Sequence, residues 1–243
     1  MMRRATDFLL LALAVLVLWQ GMYWWAGDEA LSGPAETVRF AATLLGRANF
    51  YPHLWESLRA LGYSLLIASF GGLALGIMLG AHKSSGQVME PILVGLYALP
   101  KVTLYPLVLL LFGLGLPAKV AFGALHGIIP VTIFTLNAVR NIRPVYIRTA
   151  RTLRLDPFTA ARTVLLPAAL PEIVSGQRIG FSLTLLGVLL GEMFASQRGL
   201  GFLLMNAISI NDVRMIMAIA LILFAFAVTV SAGLLALDRR LHR

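Results

Sequence analysis

The 243-residue chain contains no cysteine. That excludes disulfides, thiolate metal sites and thiol nucleophiles, and leaves the redox compartment unmarked. Charge is also scarce. Only 13% of residues are Asp, Glu, Lys or Arg, about half the share of an ordinary soluble domain. Lysine is limited to Lys83, Lys101 and Lys119. None sits in a G-x-x-x-x-G-K-[ST] loop, so the chain has no such cradle for nucleotide phosphates. The histidines His53, His82, His126 and His242 are scattered, with no H-E-x-x-H and no metal-ligand spacing. No G-x-S-x-G nucleophile elbow occurs. A non-enzymatic chain is expected, with no metal and no cofactor of its own.

What is present is apolar surface. Hydrophobic residues make up 59% and the mean hydropathy is +0.84, which places the chain among all-α membrane proteins. A spanning helix needs about 20 predominantly apolar residues. Six stretches qualify: 8–25, 58–81, 89–112, 118–138, 173–195 and 213–237. The first follows Arg3 and Arg4 and ends on Trp19, Tyr23, Trp24 and Trp25. It reads as a membrane helix with an interfacial aromatic belt rather than a cleaved signal. Residues 36–56 are amphipathic and too polar to span, so they are expected on the outer interface. The chain thus divides into 1–57, a first helix plus interfacial segment, and 58–243, a helical core.

The excess of basic residues, +9 net, orients the chain rather than pointing to nucleic acid. With both termini inside, the inner side holds Arg3, Arg4, Lys83, Arg140, Arg143, Arg148, Arg151, Arg154, Arg162, Arg239, Arg240 and Arg243. The outer side holds Arg39, Arg47, Arg59, Lys119, Arg198 and Arg214. Lys101 and Arg178 fall inside spans. A twofold inner bias follows the positive-inside rule. It puts both termini and the loop at about 140–171 in the cytoplasm.

That loop reads LRLDPFTAARTVLLPAALPE over 153–172. Asp156-Pro157 is a helix start, with Asp as cap and Pro at the first helical position. The helix that follows is expected to end near Pro167. At 1.5 Å per residue it would be about 15 Å long, too short to cross a bilayer. Phe158, Ala161 and Leu165 share one face. On physical grounds it could lie on anionic headgroups or enter a soluble partner.

The segment TARTLRLDPFTAARTVLLPAALP resembles the EAA loop of permease subunits of ABC importers. Ala150 matches the second alanine of that pattern, and Val164, Leu166 and Pro167 match its end. Arg148 stands where the pattern has Glu, and Arg154 where it has Gly. ALPKVTLYPLVLLLFGLG, GEMFASQRGLGFLLMNA and the closing LDRRLHR look like the nitrate, sulfonate and taurine branch of the same family. The resemblance covers roughly residues 55–243. It implies a type I importer permease fold with six spans and a cytoplasmic coupling helix. Its implied partners are ABC ATPase subunits that use ATP and Mg, a second permease subunit, an external solute-binding protein and the lipid of the inner membrane. It also implies that Ala150, Leu153, Arg154, Asp156, Pro157, Phe158, Ala161 and Arg162 dock the ATPase. With Lys101 lining the path, the solute would be a small anion such as a sulfonate or nitrate.

Polar residues within the spans have two readings each. Lys101, beside Pro100, could line a pathway or snorkel to an interface. Glu192 could form a gate contact, pair with Arg198, or be a solvated helix-end charge. His126 reads as a structural hydrogen-bonding residue. Gly199 and Gly201 permit a turn, and the resemblance puts that turn near the pathway. Pro100, Pro106 and Pro130 interrupt the third and fourth expected spans and free backbone carbonyls that lipid does not tolerate. Gly72, Gly76 and Gly80 form a small-xxx-small ridge for close helix packing. A secondary transporter or channel without an ATPase is the rival reading. It would need clustered midplane ion sites and inverted repeats.

Overall fold

Small residues set the centre of this all-helical chain. The computed structural model describes residues 2–194 and 196–241. Its helices are α1 (Met2–Ala26), α2 (Pro34–Leu45), α3 (Tyr51–Ala81), α4 (Lys83–Ala98), α5 (Tyr105–Phe112), α6 (Leu116–Arg140), α7 (Pro144–Thr152), α8 (Pro157–Ala160), α9 (Leu166–Phe194), α10 (Leu200–Ser209) and α11 (Val213–Leu241). Helix α6 is sandwiched between α3 and α9. A Cβ added to Gly72 would lie 2.6 Å from Val131, and one on Gly80 would lie 2.8 Å from the Leu136 carbonyl. Only glycine lets the α3 backbone come that close. On the other side Gly176 faces Phe134, Gly180 faces Val131, Gly187 faces His126 and Gly191 faces Lys119. The order of these contacts makes α3 and α6 parallel and α9 antiparallel to both. Around this triad, α2 and α10 pack on α11 and on the start of α3, where Ala41, Leu44, Phe50, Leu200, Ala218 and Ile219 are buried together.

Four helices are long and apolar enough to cross a membrane: Ala48–Ala81, Leu116–Arg140, Pro157–Phe194 and Val213–Ala236. The third expected span is not straight. Ser84–Ala98 and Lys101–Phe112 form a broken pair bent by 87°, because Pro100 cannot donate a backbone hydrogen bond at the corner. The first expected span lies in α1, whose described side chains include the apolar stretch Leu10–Ala26; the side chains of Phe8 and Leu9 at its start lie outside the described residues. Among the described residues four or five candidate spans therefore stand where six were expected. Residue 195, the end of the fifth expected span, and Arg243, counted with the inner charges, lie outside the described residues. So do the side chains of Arg3, Arg4, Lys83, Arg239 and Arg240.

Two local expectations are corrected, and one segment gains detail. Residues 36–56, expected at the outer interface, are divided among several elements. Helix α2 ends at Leu45, a short 3₁₀ turn covers Ala48–Phe50, and residues 51–56 are the first turns of α3. The 57/58 division thus falls inside α3. Pro130 does not interrupt its span. Helix α6 runs through it, held between α3 and α9, and Pro is tolerated where neighbouring helices support the freed groups. Finally, the short helix after Asp156 does not stop near Pro167. A π turn over Ala161–Leu165 joins it to α9, and the Leu166 N–H donates to the Ala161 carbonyl. The wider turn shifts the hydrogen-bond ladder just before Pro167, which has no N–H to give.

Candidate functional site

The core triad has two polar ends. One carries the turn from α6 through α7 to α8. Helix α7 closes with a Schellman arrangement: the Leu155 N–H donates to the Ala150 carbonyl and the Arg154 N–H to the Arg151 carbonyl. That motif needs a left-handed residue after the helix, and Arg154 supplies it at φ 48°. The Gly of the resembled pattern falls on this residue, so the pattern's Gly has a backbone reason. Two residues on, the Asp156 carboxylate accepts from the N–H groups of Phe158 and Thr159, each at 3.1 Å. The Thr159 hydroxyl and these N–H groups hold the Asp156 carboxyl below its ordinary pKa. The turn projects Leu153 (62% exposed) and Phe158 (73% exposed). Arg143, Arg148, Arg151 and Arg162 are exposed around them, as is Ala161, whereas Ala150 is buried. Beside this surface Arg140 forms an ion pair with Glu90 at 2.6 Å, at the edge of a cavity of about 850 Å³ that reaches Gln87, Ile147 and Leu165.

The opposite end gathers residues far apart in sequence. Lys119, 1% exposed, forms an ion pair with Glu56 at 3.0 Å and donates to the Arg198 carbonyl at 2.8 Å. Glu192, fully buried, accepts from the Ser57 hydroxyl at 2.8 Å and from the Gly201 N–H at 2.9 Å. Ser57 in turn accepts from the Leu200 N–H, and the Gly199 N–H donates to His53. Gly199 sits at φ 129°, and a Cβ there would collide with the Glu192 carboxylate. Glu192 is therefore neither paired with Arg198 nor solvated. It ties residues 199–201 to α3 and α9. A cavity of about 520 Å³ opens beside the Lys119–Glu56 pair, lined also by Gln197 and Arg198.

Lys101 lies at neither end. It is 8% exposed at the corner of the broken pair. Its ammonium donates to the Tyr97 carbonyl at 3.0 Å and lies 5.2 Å from the Tyr97 ring centre. It satisfies a carbonyl freed by the break, with Pro100 just before it and Pro106 in the first turn of α5. His126 is buried against the Phe122 carbonyl at 2.9 Å. Among the described residues no cluster of acidic or histidine side chains could hold a metal.

Sequence reasoning missed the Schellman turn and the Glu56–Lys119 pair. A left-handed Arg has no sequence signal, although the Gly expected at that position was a hint. The ion pair spans 63 residues, which no local spacing reveals.

Comparison with known proteins supplies the context. The family model described as binding-protein-dependent transport system inner membrane component matches residues 72–243. The taurine transport system permease protein of Escherichia coli is 29% identical over 87% of this chain and 78% of its own length. The riboflavin transport system permease protein of Chloroflexus aurantiacus is 32% identical, over 93% of this chain and 87% of its own length. Among solved structures, a chain of the MetNI methionine ABC transporter in an inward-facing conformation superposes with a TM-score of 0.67 at 20% identity. The match covers 78% of this chain and 94% of that one.

Proposed function

The chain belongs to the binding-protein-dependent transport system inner membrane components, and from that premise we propose how this permease subunit is oriented, partnered and loaded. It is a non-catalytic, multi-pass inner-membrane subunit of an ABC importer, and its family implies an ATPase and a solute-binding protein as partners. In our reading the broken pair and α1 each complete a crossing, giving six. Both termini and residues 139–171 face the cytoplasm. A second copy of the chain completes the pathway.

The observation that carries this reading is the surface around Asp156. A capped helix start and a Schellman turn hold two large apolar side chains, Leu153 and Phe158, out among exposed arginines. A lipid-surface helix would bury its apolar face in the acyl boundary. A protruding Phe on a rigid turn instead matches an aromatic anchor entering a protein pocket. Ala150, Leu153, Arg154, Asp156, Pro157, Phe158, Ala161 and Arg162 form the ATPase dock. At the other end the Glu192–Ser57–Gly201 knot holds residues 199–201 as part of the outer gate. Pro100, Lys101 and Pro106 shape the bend that borders the pathway.

The solute in this reading is a small anion of the sulfonate or nitrate kind. The taurine-transporting relative supports it. The riboflavin-transporting relative means that identity alone does not choose the solute. The Lys101 ammonium is already engaged by Tyr97, so the anion reading does not rest on it.

Affinity purification of the chain from native membranes should recover an ABC ATPase in stoichiometric amount. Purification without one would sink the reading. Orientation is tested with Arg154→Cys and Asn206→Cys in this cysteine-free chain. An impermeant thiol reagent on intact cells should label position 206 and spare 154, and the reverse pattern would invert the topology.

A further inference from the structure

The exposed faces of two core helices differ at the same depth. On α3 beyond Arg59 the exposed side chains include Tyr63, Leu66, Ile67, Phe70, Leu75, Ile77 and Met78, a face that suits lipid. On α9 the side turned away from α6 carries Ser175, Arg178 and Ser182, all partly or fully exposed. They recur at i, i+3 and i+7, one stripe of a helix. The α6 contacts of Gly176 and Gly180 put Arg178 level with residues 131–134. That is about 12 Å along α6 from Arg140, inside the hydrocarbon layer.

Among the described residues the Arg178 guanidinium has no carboxylate or hydrogen-bond partner. Ser182 donates only to the Arg178 backbone carbonyl. A guanidinium facing lipid with no partner is costly, and such residues face a water-filled cavity or a bundle interior. The neighbouring Gln177 does not serve it, because Gln177 accepts from Ser69 at 2.7 Å on a different face. An unpaired planar cation beside the Ser175 hydroxyl is a donor set that recognises a carboxylate, sulfonate or nitrate.

We propose that Arg178 is the solute-contacting cation of this permease. It would recognise the anionic group of the transported molecule on the Ser175–Arg178–Ser182 face of α9, which lines the aqueous pathway. The proposal rests on the permease reading and gives it the charged group that Lys101 does not provide. A headgroup phosphate reached by snorkelling is the competing source of the same contact. Position 182 separates the two, because it lies one turn farther from the α9 start, deeper than a snorkelling chain reaches.

The test uses the purified complex with its ATPase in nanodiscs, with intact mass of this chain as the readout. Ser182→Cys is treated with anionic sulfonatoethyl methanethiosulfonate and, separately, with cationic trimethylammonioethyl methanethiosulfonate. The thiol at 182 should react with both and favour the anionic reagent by roughly tenfold, the preference expected from a cation about 7 Å away in an incompletely solvated site. Arg178→Gln in the same background should abolish that preference, and Arg178→Lys should retain most of it. Phe70→Cys, on the lipid-suited face, should stay inert. An inert thiol at 182 in an ATPase-bound complex would overturn the proposal and leave the permease reading standing. Reaction without charge preference would refute the anion assignment. Absence of the ATPase from the complex would remove the reading beneath it.

Discussion

Replacing Gly76 by Ala tests the packing that positions both ends of the molecule. The added Cβ would run into the Thr135 side chain and lie 2.9 Å from the Thr132 backbone carbonyl. Neither the Thr135 Cβ, which is fixed to the α6 backbone, nor a carbonyl within α6 can rotate away. Helices α3 and α6 would have to separate by about an ångström to restore ordinary contact at 3.4 Å. Two effects oppose each other. Ala favours the helix over Gly by about 1 kcal/mol, whereas overpacking a tight interface costs about 1–3 kcal/mol. Gly62 provides the control on the same helix, since a Cβ there meets nothing within 4 Å. Gly62→Ala should be neutral or slightly stabilising. Gly76→Ala should be destabilised by up to about 2 kcal/mol net, and Gly76→Leu should fail to accumulate. Thermal unfolding in one detergent, followed by loss of monodisperse protein, measures all three. A Gly76→Ala protein at least as stable as Gly62→Ala would refute the close approach of α3 to α6.

Glu192→Ala leaves the buried Ser57 hydroxyl and Gly201 N–H without their acceptor, at about 1–3 kcal/mol each. Proteolysis of the 196–201 loop should accelerate, and Glu192→Gln should restore part of the protection. Arg154→Gly removes the left-handed strain of a side-chain-bearing residue, about 1–2 kcal/mol, offset in part by the freedom glycine gains when unfolded. Amide exchange over 150–157 should slow, and faster exchange would contradict the Schellman assignment. Phe158→Ala should leave membrane insertion intact and lower solute-stimulated ATP hydrolysis by the complex, through loss of about 1–3 kcal/mol of contact. Asp156 has its folded pKa below its ordinary value, so its capping contribution is present above the ordinary carboxylate range and lost as pH falls through the lower folded value. Exchange protection of the Phe158 and Thr159 amides should therefore hold at pH 7 and fall only below about pH 4. Loss already at pH 6 would exclude the cap.

The parts of the fold that depend on local pattern could be read from the sequence. Asp156-Pro157 announces a helix start in any context, and the helix start forms there. The Gly72–Gly76–Gly80 period marks one face of α3, and that face lies against α6. Long-range compensation was not readable. Pro130 and Pro167 looked like stops because proline breaks an isolated helix, but neighbouring helices hold the first and a π turn absorbs the second. Glu192, near a helix end, read as a gate contact, a partner of Arg198 or a solvated charge. Its partners Ser57 and Gly201 come from elsewhere in the chain and turn it into a buried anchor. Lys101 could line a pathway or snorkel to an interface, and sequence did not show that the bend at Pro100 leaves the Tyr97 carbonyl beside it to accept from the ammonium.

The central claim is that the turn around Asp156 docks on an ATPase, and cross-linking from position 158 tests it most directly. Phe158→Cys, carried by a chain with no other cysteine, can be coupled to a short photoactivatable maleimide in purified complex. After illumination, the account predicts one dominant adduct with the ATPase subunit, and little when the same probe is placed at Leu66→Cys on the lipid-suited face of α3. A probe at 158 that couples to lipid alone, while the ATPase is present in the complex, would contradict the account.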